Sequence, residues 1–424
     1  MSQGDPTAVR HEGERGERAA LIDELVSFRG RRAGSDAERR AANRFAERLR
    51  GMGRQVAVEP TYVHPGWALS LALHCAIGCV GSLITVTQPV VGFALVLLAA
   101  TSLYLDLNAR FYLLRSLFFR RASQNVVSPG GRPDAPARLV LCASLDAPRT
   151  GFLNGRFCAR VFARLTKLTG LPWSPTRVIF WSLAFLVPVT AAQAAGLESD
   201  GLSLLQVIPT LLLLVGAFGY LDVGTSRLSP GANENASGVA TVLSAARELD
   251  REAPAALDVW VVLVGASDPL SQGMRGFARA HRELDRERTL FVCVDSVGAG
   301  EVRYLSAEGP AAAFPADRRL LELCDAIAEA DRAAGDELRA APLAHGFATD
   351  AHVLRIAKRR AIGITCLEPD ELVPRNARTG SDLPQSIDPL GPESAERFCI
   401  ELARALDRDA VRRFESAEPI AGGV

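Results

Sequence analysis

Four long uncharged runs interrupt an otherwise mixed polar and apolar chain. Residues 67–86 contain no Asp, Glu, Lys or Arg, and residues 90–105 follow after Thr87-Gln88-Pro89. Residues 178–197 and 202–221 form a second such pair. About 20 apolar residues are needed to cross a bilayer as a helix. Each pair therefore predicts a helical hairpin that enters a membrane and returns, in preference to two buried core helices.

The remaining pattern alternates between strand and helix periods. Helices are expected at 17–28, 37–52, 239–249, 273–284, 317–334 and 391–414. Strands are expected at 55–59, 125–127, 139–143, 259–265, 289–294 and 361–367. Several of these strands are continuous apolar runs, the pattern of a strand covered on both faces. Alternating β and α with such strands predicts an α/β fold: a three-layer αβα arrangement around a mostly parallel sheet. Two transmembrane helical hairpins would be inserted into it, at 67–106 and 177–221. The α/β domain would comprise 17–66, 107–176 and 222–414, with a disordered tail at 1–16 and a flexible one at 415–424.

Charge sharpens this division. The 48 basic and 48 acidic side chains cancel, so no basic excess points to a nucleic acid. The hairpin tips, 87–89 and 198–201, carry no Lys or Arg; the second carries Glu198 and Asp200. The bases carry Arg110, Arg115, Arg120, Arg121, Arg156, Arg160, Arg164, Lys167 and Arg177. The positive-inside rule places those bases, and the whole polar domain, on the cytoplasmic side of the inner membrane. Two arginine-studded amphipathic pieces, 111–119 and 157–168, are expected to lie on the inner leaflet against anionic headgroups. The first 18 residues are polar and predict no secretory signal. Eight scattered cysteines lack zinc-finger spacing and read as small buried hydrophobes in a reducing compartment.

Candidate chemistry gathers at the strand ends. Ser229-Pro230-Gly231-Ala232-Asn233-Glu234-Asn235-Ala236-Ser237-Gly238 reads as a glycine loop holding an acid at a helix start. The strand at 139–143 runs into Ser144-Leu145-Asp146. The strand at 259–265 runs into Ala266-Ser267-Asp268, and that at 289–294 into Asp295. Ligands of open α/β sheets bind beyond such ends, and convergent carboxylates are the usual donors to a divalent cation.

The order of these motifs resembles the co-catalytic di-zinc exopeptidases, the family of bacterial leucyl aminopeptidases, glutamate carboxypeptidase and glutaminyl cyclase. Ser27-Phe28-Arg29-Gly30-Arg31-Arg32-Ala33-Gly34-Ser35 is similar to that family's "GxRxxGS" segment, and Asn125-Val126 to its "NV" strand. The resemblance covers 17–408 outside the hairpins. It implies roles that this chain has altered. The first zinc imidazole falls on Ser144, and the acid of the same motif is kept as Asp146. The bridging aspartate falls on Glu234, the general base on Ser267, and the neighbouring metal ligand on Asp268. The acid closing the first metal site is kept as Asp295. The last zinc imidazole falls on Arg378, within Ala377-Arg378-Thr379-Gly380-Ser381-Asp382.

Those substitutions decide what chemistry is expected. A co-catalytic zinc site needs an imidazole for each metal, and none of the six histidines falls on a ligand position. His345 and His352, either side of Asp350, could approach the cleft, but a surface or capping role is the preferred assignment. Ser267 is a poor base. An arginine at 378 either points to solvent or replaces the charge of the second metal by reaching Glu234 and Asp268. The resemblance thus implies a membrane-anchored exopeptidase-like pseudoenzyme without a cofactor, serving binding or assembly, with the bilayer as partner and a peptide or protein ligand in the cleft. Two alternatives stand beside it. One is an active hydrolase holding Mg²⁺, Mn²⁺ or Ca²⁺ on Glu234, Asp268 and Asp295, with Asp146 in support. The other is a membrane scaffold or transport component, for which the spans offer little ionisable chemistry apart from His74.

Overall fold

The computed structural model describes residues 6–417 other than 198, 269, 336 and 370. Glu198 at the expected hairpin tip, residues 1–5 and residues 418–424 lie outside the described residues. Helix α1 (Pro6–Ser27) begins eleven residues before the expected start, so 6–16 are helical where a tail was expected. Its Arg15 and Arg18 reach Glu393 and Glu396 of the last helix. Helix α2 (Asp36–Gly51) starts where Ser35 Oγ accepts from the Glu38 N–H, and its stripe of Ala41, Ala42, Phe45, Ala46 and Leu49 is fully buried.

The strands follow as β1 (Ala57–Val63), β2 (Arg121–Ser128), β3 (Ala137–Ser144), β4 (Leu257–Val264), β5 (Thr289–Val294), β6 (Glu301–Glu308), β7 (Phe314–Pro315), β8 (Ala341–His345) and β9 (Arg360–Leu367). They form one sheet in the order β1-β2-β4-β3-β5-β9-β6-β7, with β8 beside β6. Strands β4, β3, β5 and β9 run parallel, as do β6 and β8. The pairs β1–β2, β2–β4, β6–β9 and β6–β7 are antiparallel. The sheet is therefore mixed, and the expectation of a mostly parallel sheet is corrected. The physical reason is burial. Only the continuous apolar strands are covered on both faces and lie in the parallel centre, whereas β1 and β6 alternate in burial and lie toward the edges.

Alternate residues of the central strands face two cores. Leu139, Leu141, Val261, Leu263, Val292 and Ile362 pack against α1, α2, α8 (Gly238–Arg251), α10 (Arg318–Ala334) and α12 (Leu390–Ala417). Val140, Cys142, Val262, Phe291 and Cys293 face α9 (Gln272–Ala280) and α11 (Asp350–Ile356) on the other side. These are the three expected layers. All eight cysteines are buried and unpaired, in keeping with their reading as small hydrophobes.

Four helices are long and apolar enough to cross a membrane: α3 (Trp67–Ile84), α4 (Pro89–Leu107), α6 (Pro175–Ala194) and α7 (Asp200–Thr225). They form a bundle in which α3 packs on α4 and α7, and α6 on the same two helices. Gly92 lets α3 and α4 approach closely, since a Cβ there would lie 2.1 Å from Thr85 Oγ1. Leu204, Ile208, Leu211 and Phe218 point outward and remain exposed. At the base, Asp106 and Arg115 form a fully buried ion pair: Arg115 Nε donates to Oδ2 at 3.0 Å, and Nη2 lies 2.6 Å from Oδ1. The segment 111–119, expected as an arginine-studded amphipathic piece, holds a single 3-10 turn at Arg115–Leu117. Arg115 is drawn inward to Asp106, which breaks the helical spacing of its charges. The other expected piece is a helix, α5 (Arg156–Thr169).

Candidate functional site

The parallel centre of the sheet brings the C-terminal ends of β3, β4 and β5 side by side. The side chains holding those ends are buried. Arg31, 1% exposed, donates from Nε to Leu145 O at 3.0 Å and from Nη1 to Leu25 O at 2.8 Å. It also reaches the glycine loop, at Pro230 O (3.2 Å) and Gly231 O (3.0 Å). Burial pulls its pKa down to about 10, which leaves it charged. Gly231 has a left-handed φ of 72°, and a Cβ there would sit 2.8 Å from Arg31 Nη2.

Asp382 holds the loop from the opposite side. Its Oδ1 accepts the Asn233 N–H at 2.6 Å and its Oδ2 the Glu234 N–H at 3.2 Å. Burial pushes its carboxyl up to about 6. Glu38 accepts from Gly34 N, Ala266 N and Ser123 Oγ, and so ties α2 to the end of β4. Burial pushes it up to about 8. Asn125 joins Gly265 N to Gly273 O across the same corner. Arg31, Asn125 and Asp382 all fall in motifs quoted above, but the sequence assigned them no task. Glu38 carried no signal beyond its place in the first turn of α2.

Against this frame the expected site residues divide into two groups. Asp146 is a support: its two oxygens accept the N–H groups of Ser267 (2.9 Å) and Asp268 (3.0 Å). Burial pushes it up to about 7 against those two donors. Ser144 Oγ accepts from Asn235 Nδ2 at 3.2 Å. Ser267 Oγ donates to Asp350 Oδ1 at 2.9 Å, and burial pushes Asp350 up to about 7. Both serines are thus engaged with neighbouring side chains.

The second group faces a cleft. Arg378 Nη2 donates to Glu234 Oε1 at 2.8 Å and lies 3.0 Å from Asp268 Oδ1. Glu234, Asp295, Ser296 and Arg378 line the cleft together. Ser296 Oγ donates to Asp295 Oδ1 at 2.6 Å. Burial pushes Glu234 up to about 8, with Arg378 pulling the other way, and burial likewise raises Asp295. Burial also opposes the charge of Arg378, but Glu234 and Asp268 outweigh it and hold the guanidinium ionised. Ala266, Ser296 and Arg378 adopt left-handed φ values of 49°, 56° and 59°. Such conformations are uncommon away from glycine and cluster at functional sites.

His345 also lines the cleft; its Nε2 contacts Leu372 O at 3.1 Å, and burial lowers its pKa. His352 is buried, with Nε2 3.3 Å from Leu107 O at the end of α4. His345 is half-buried and reaches the cleft, as the alternative reading allowed, whereas His352 is buried against the end of α4, which corrects a surface position for it. The opposite wall of the cleft is apolar and comes from α5, Trp173 and Phe347, a contribution that the sequence did not foretell.

This donor set matches a zinc pair poorly. It contains carboxylates but no imidazole, and a guanidinium stands within 3.0 Å of two of the acids. Among the described residues, no group of three or more His, Cys, Asp or Glu is arranged to hold a metal ion.

Residues 215–358, which carry the glycine loop, β4 and β5, match the model of Peptidase family M28. The chain as a whole has the fold of solved exopeptidase-like enzymes. It is similar to a glutaminyl cyclase of Bacteroides thetaiotaomicron solved with N-acetylhistamine, with a TM-score of 0.52 at 14% identity over 92% of this chain and 97% of that one. It is similar to a Tannerella forsythia glutaminyl cyclase, with a TM-score of 0.51 at 14% identity over 92% and 98%. It is also similar to a leucine aminopeptidase precursor of B. thetaiotaomicron, with a TM-score of 0.50 at 14% identity over 92% and 96%. No curated protein sequence matches the chain. The resemblance read from the motif order is thereby upheld as a divergent one, at the level of fold.

Proposed function

We propose that this chain is a membrane-anchored exopeptidase-like protein whose site binds a ligand instead of hydrolysing a peptide through zinc. The observation that carries this reading is the position of Arg378, within 3.0 Å of both Glu234 and Asp268. A fixed cation between two would-be ligands repels a dication and supplies the charge a metal would have given. The serines at the first imidazole and general-base positions support the same reading, since neither can ligate zinc or accept a proton from water at neutral pH. The membrane part rests on the four apolar helices and on the arginines at their bases. The polar domain faces the cytoplasm. The outer face of α5 and the exposed Phe111, Leu117 and Phe119 rest on the inner leaflet.

The test is hydrolysis of a panel of aminoacyl and peptidyl substrates by the full chain in detergent, with chelator and with added zinc. The expected outcome is no turnover above background in either condition. Chelator-sensitive cleavage at an ordinary enzymatic rate contradicts the proposal.

A further inference from the structure

The cleft does not end at the soluble domain. A second cavity shares Leu153, Pro175, Phe347 and Arg378 with it and continues toward the membrane-length helices. All four contribute to that cavity: Trp67 and Leu71 from α3, Leu107 from α4, Thr176 from α6 and Tyr220 from α7. The two cavities thus adjoin at Leu153, Phe347 and Arg378, one lined by the bases of the four helices and the other by the acid cluster.

Helix α5 roofs the cleft and has two apolar faces. Ala159, Phe162, Ala163 and Thr166 line the cleft. Phe157 (70% exposed) and Leu168 (82% exposed) point away from it, with Val161 and Leu165 between them and exposed Arg160 and Arg164 alongside. An apolar stripe flanked by arginines suits the interface of an anionic leaflet. The roof of the cleft therefore lies where a lipid surface would be.

The polar end has a definite charge preference. Three carboxylates, Glu234, Asp268 and Asp295, surround one guanidinium. Arg378 is the cation paired with Glu234 and Asp268, at 2.8 and 3.0 Å, and Asp295 lines the same cleft with its Oδ1 held by Ser296. The acids outnumber the guanidinium, and burial disfavours the ionised forms of Glu234 and Asp295; a second cation in the cleft offsets that burial, whereas an anion adds to it.

We propose that the cleft binds a single-chain amphiphile with an ammonium head, taken up from the bilayer. The head meets Glu234 and Asp295 beside Arg378, and the chain lies along Phe162, Trp173 and Phe347 toward the helix bases. This rests on the membrane-anchored reading above and names the ligand class of the same site.

The test uses the full chain in phosphatidylcholine nanodiscs and a diazirine-bearing dodecylamine, with labelled peptides mapped by mass spectrometry. Label is expected on the peptides carrying Phe162, Trp173 and Phe347. Excess dodecylamine should lower that labelling at least about fivefold, and dodecanol or dodecanoate less than about twofold, a difference of at least about 0.5 kcal/mol. Ala163→Trp, which fills the space under α5 and leaves the acids alone, should lower cleft labelling equally and leave that at Leu211 and Phe218 unchanged. Label confined to outward residues such as Leu211 overturns the inference, as does equal competition by all three amphiphiles. Alkaline carbonate extraction of native membranes separates the two readings. A released chain overturns the membrane anchor and this inference with it; a retained chain without cleft label overturns the inference alone.

Discussion

The guanidinium of Arg378 and the carboxylate of Glu234 meet at 2.8 Å. With Asp268 Oδ1 3.0 Å from the same nitrogen, one side chain ties the 377–382 segment to the glycine loop and to the end of β4. Arg378→Ala should therefore leave two acids facing each other without a partner. The expected cost is about 2–3 kcal/mol, below the usual figure for a fully buried pair because the side chains keep 10–17% exposure. Thermal unfolding in detergent checks it; a change under about 0.5 kcal/mol would mean that the contact is incidental.

Arg31 is the strut of the loop. It donates to four carbonyl oxygens through three nitrogens. Lysine keeps the charge but not the fork. Arg31→Lys should destabilise the fold by about 3 kcal/mol or more, since buried carbonyls lose their donors. Faster hydrogen exchange confined to residues 229–238 would be the local signature. Uniform exchange with unchanged stability would refute the assignment.

Glu38 gives the pH dependence a sign. Its folded pKa, about 8, lies above the unfolded value near 4.3. The folded state therefore holds the proton more tightly. Its contribution to stability is complete below about pH 4 and is lost as pH rises toward 8. The melting temperature should fall between pH 5 and pH 8, and Glu38→Gln should flatten that slope by up to one proton, about 1.4 kcal/mol per pH unit. A wild-type profile that rises over this window contradicts the assignment.

Asp106 and Arg115 join hairpin and domain. Removing either charge leaves the other buried and unpaired, so Asp106→Asn and Arg115→Met should each cost about 3–5 kcal/mol. The double variant should recover much of the loss. Additive losses in the double-mutant cycle would show that the two residues act independently.

The sequence disclosed the parts of this molecule that depend on periodicity. The four uncharged runs became α3, α4, α6 and α7, and the apolar runs at 139–143, 259–265 and 289–294 became the parallel centre. Strands β6 and β8 went unread because Val302, Tyr304 and Leu305 alternate with charge and Ala341–His345 is short. The mixed sheet was hidden because strand direction depends on crossovers that the inserted hairpins obscure. At the site, motif order placed Glu234, Asp268, Asp295 and Arg378 together. It did not show that Asp146 serves the backbone, that Ser267 is bonded to Asp350, or that α5 walls the cleft. Those relations join residues that are 80 or more positions apart or lie in a helix read only for its arginines.

The most direct test of the central claim is the metal content of the full chain, purified in detergent without chelator and measured by elemental analysis. With Arg378 between Glu234 and Asp268, zinc should stay well below one ion per chain even after incubation with excess zinc and desalting. One or two tightly held zinc ions per chain would contradict the account.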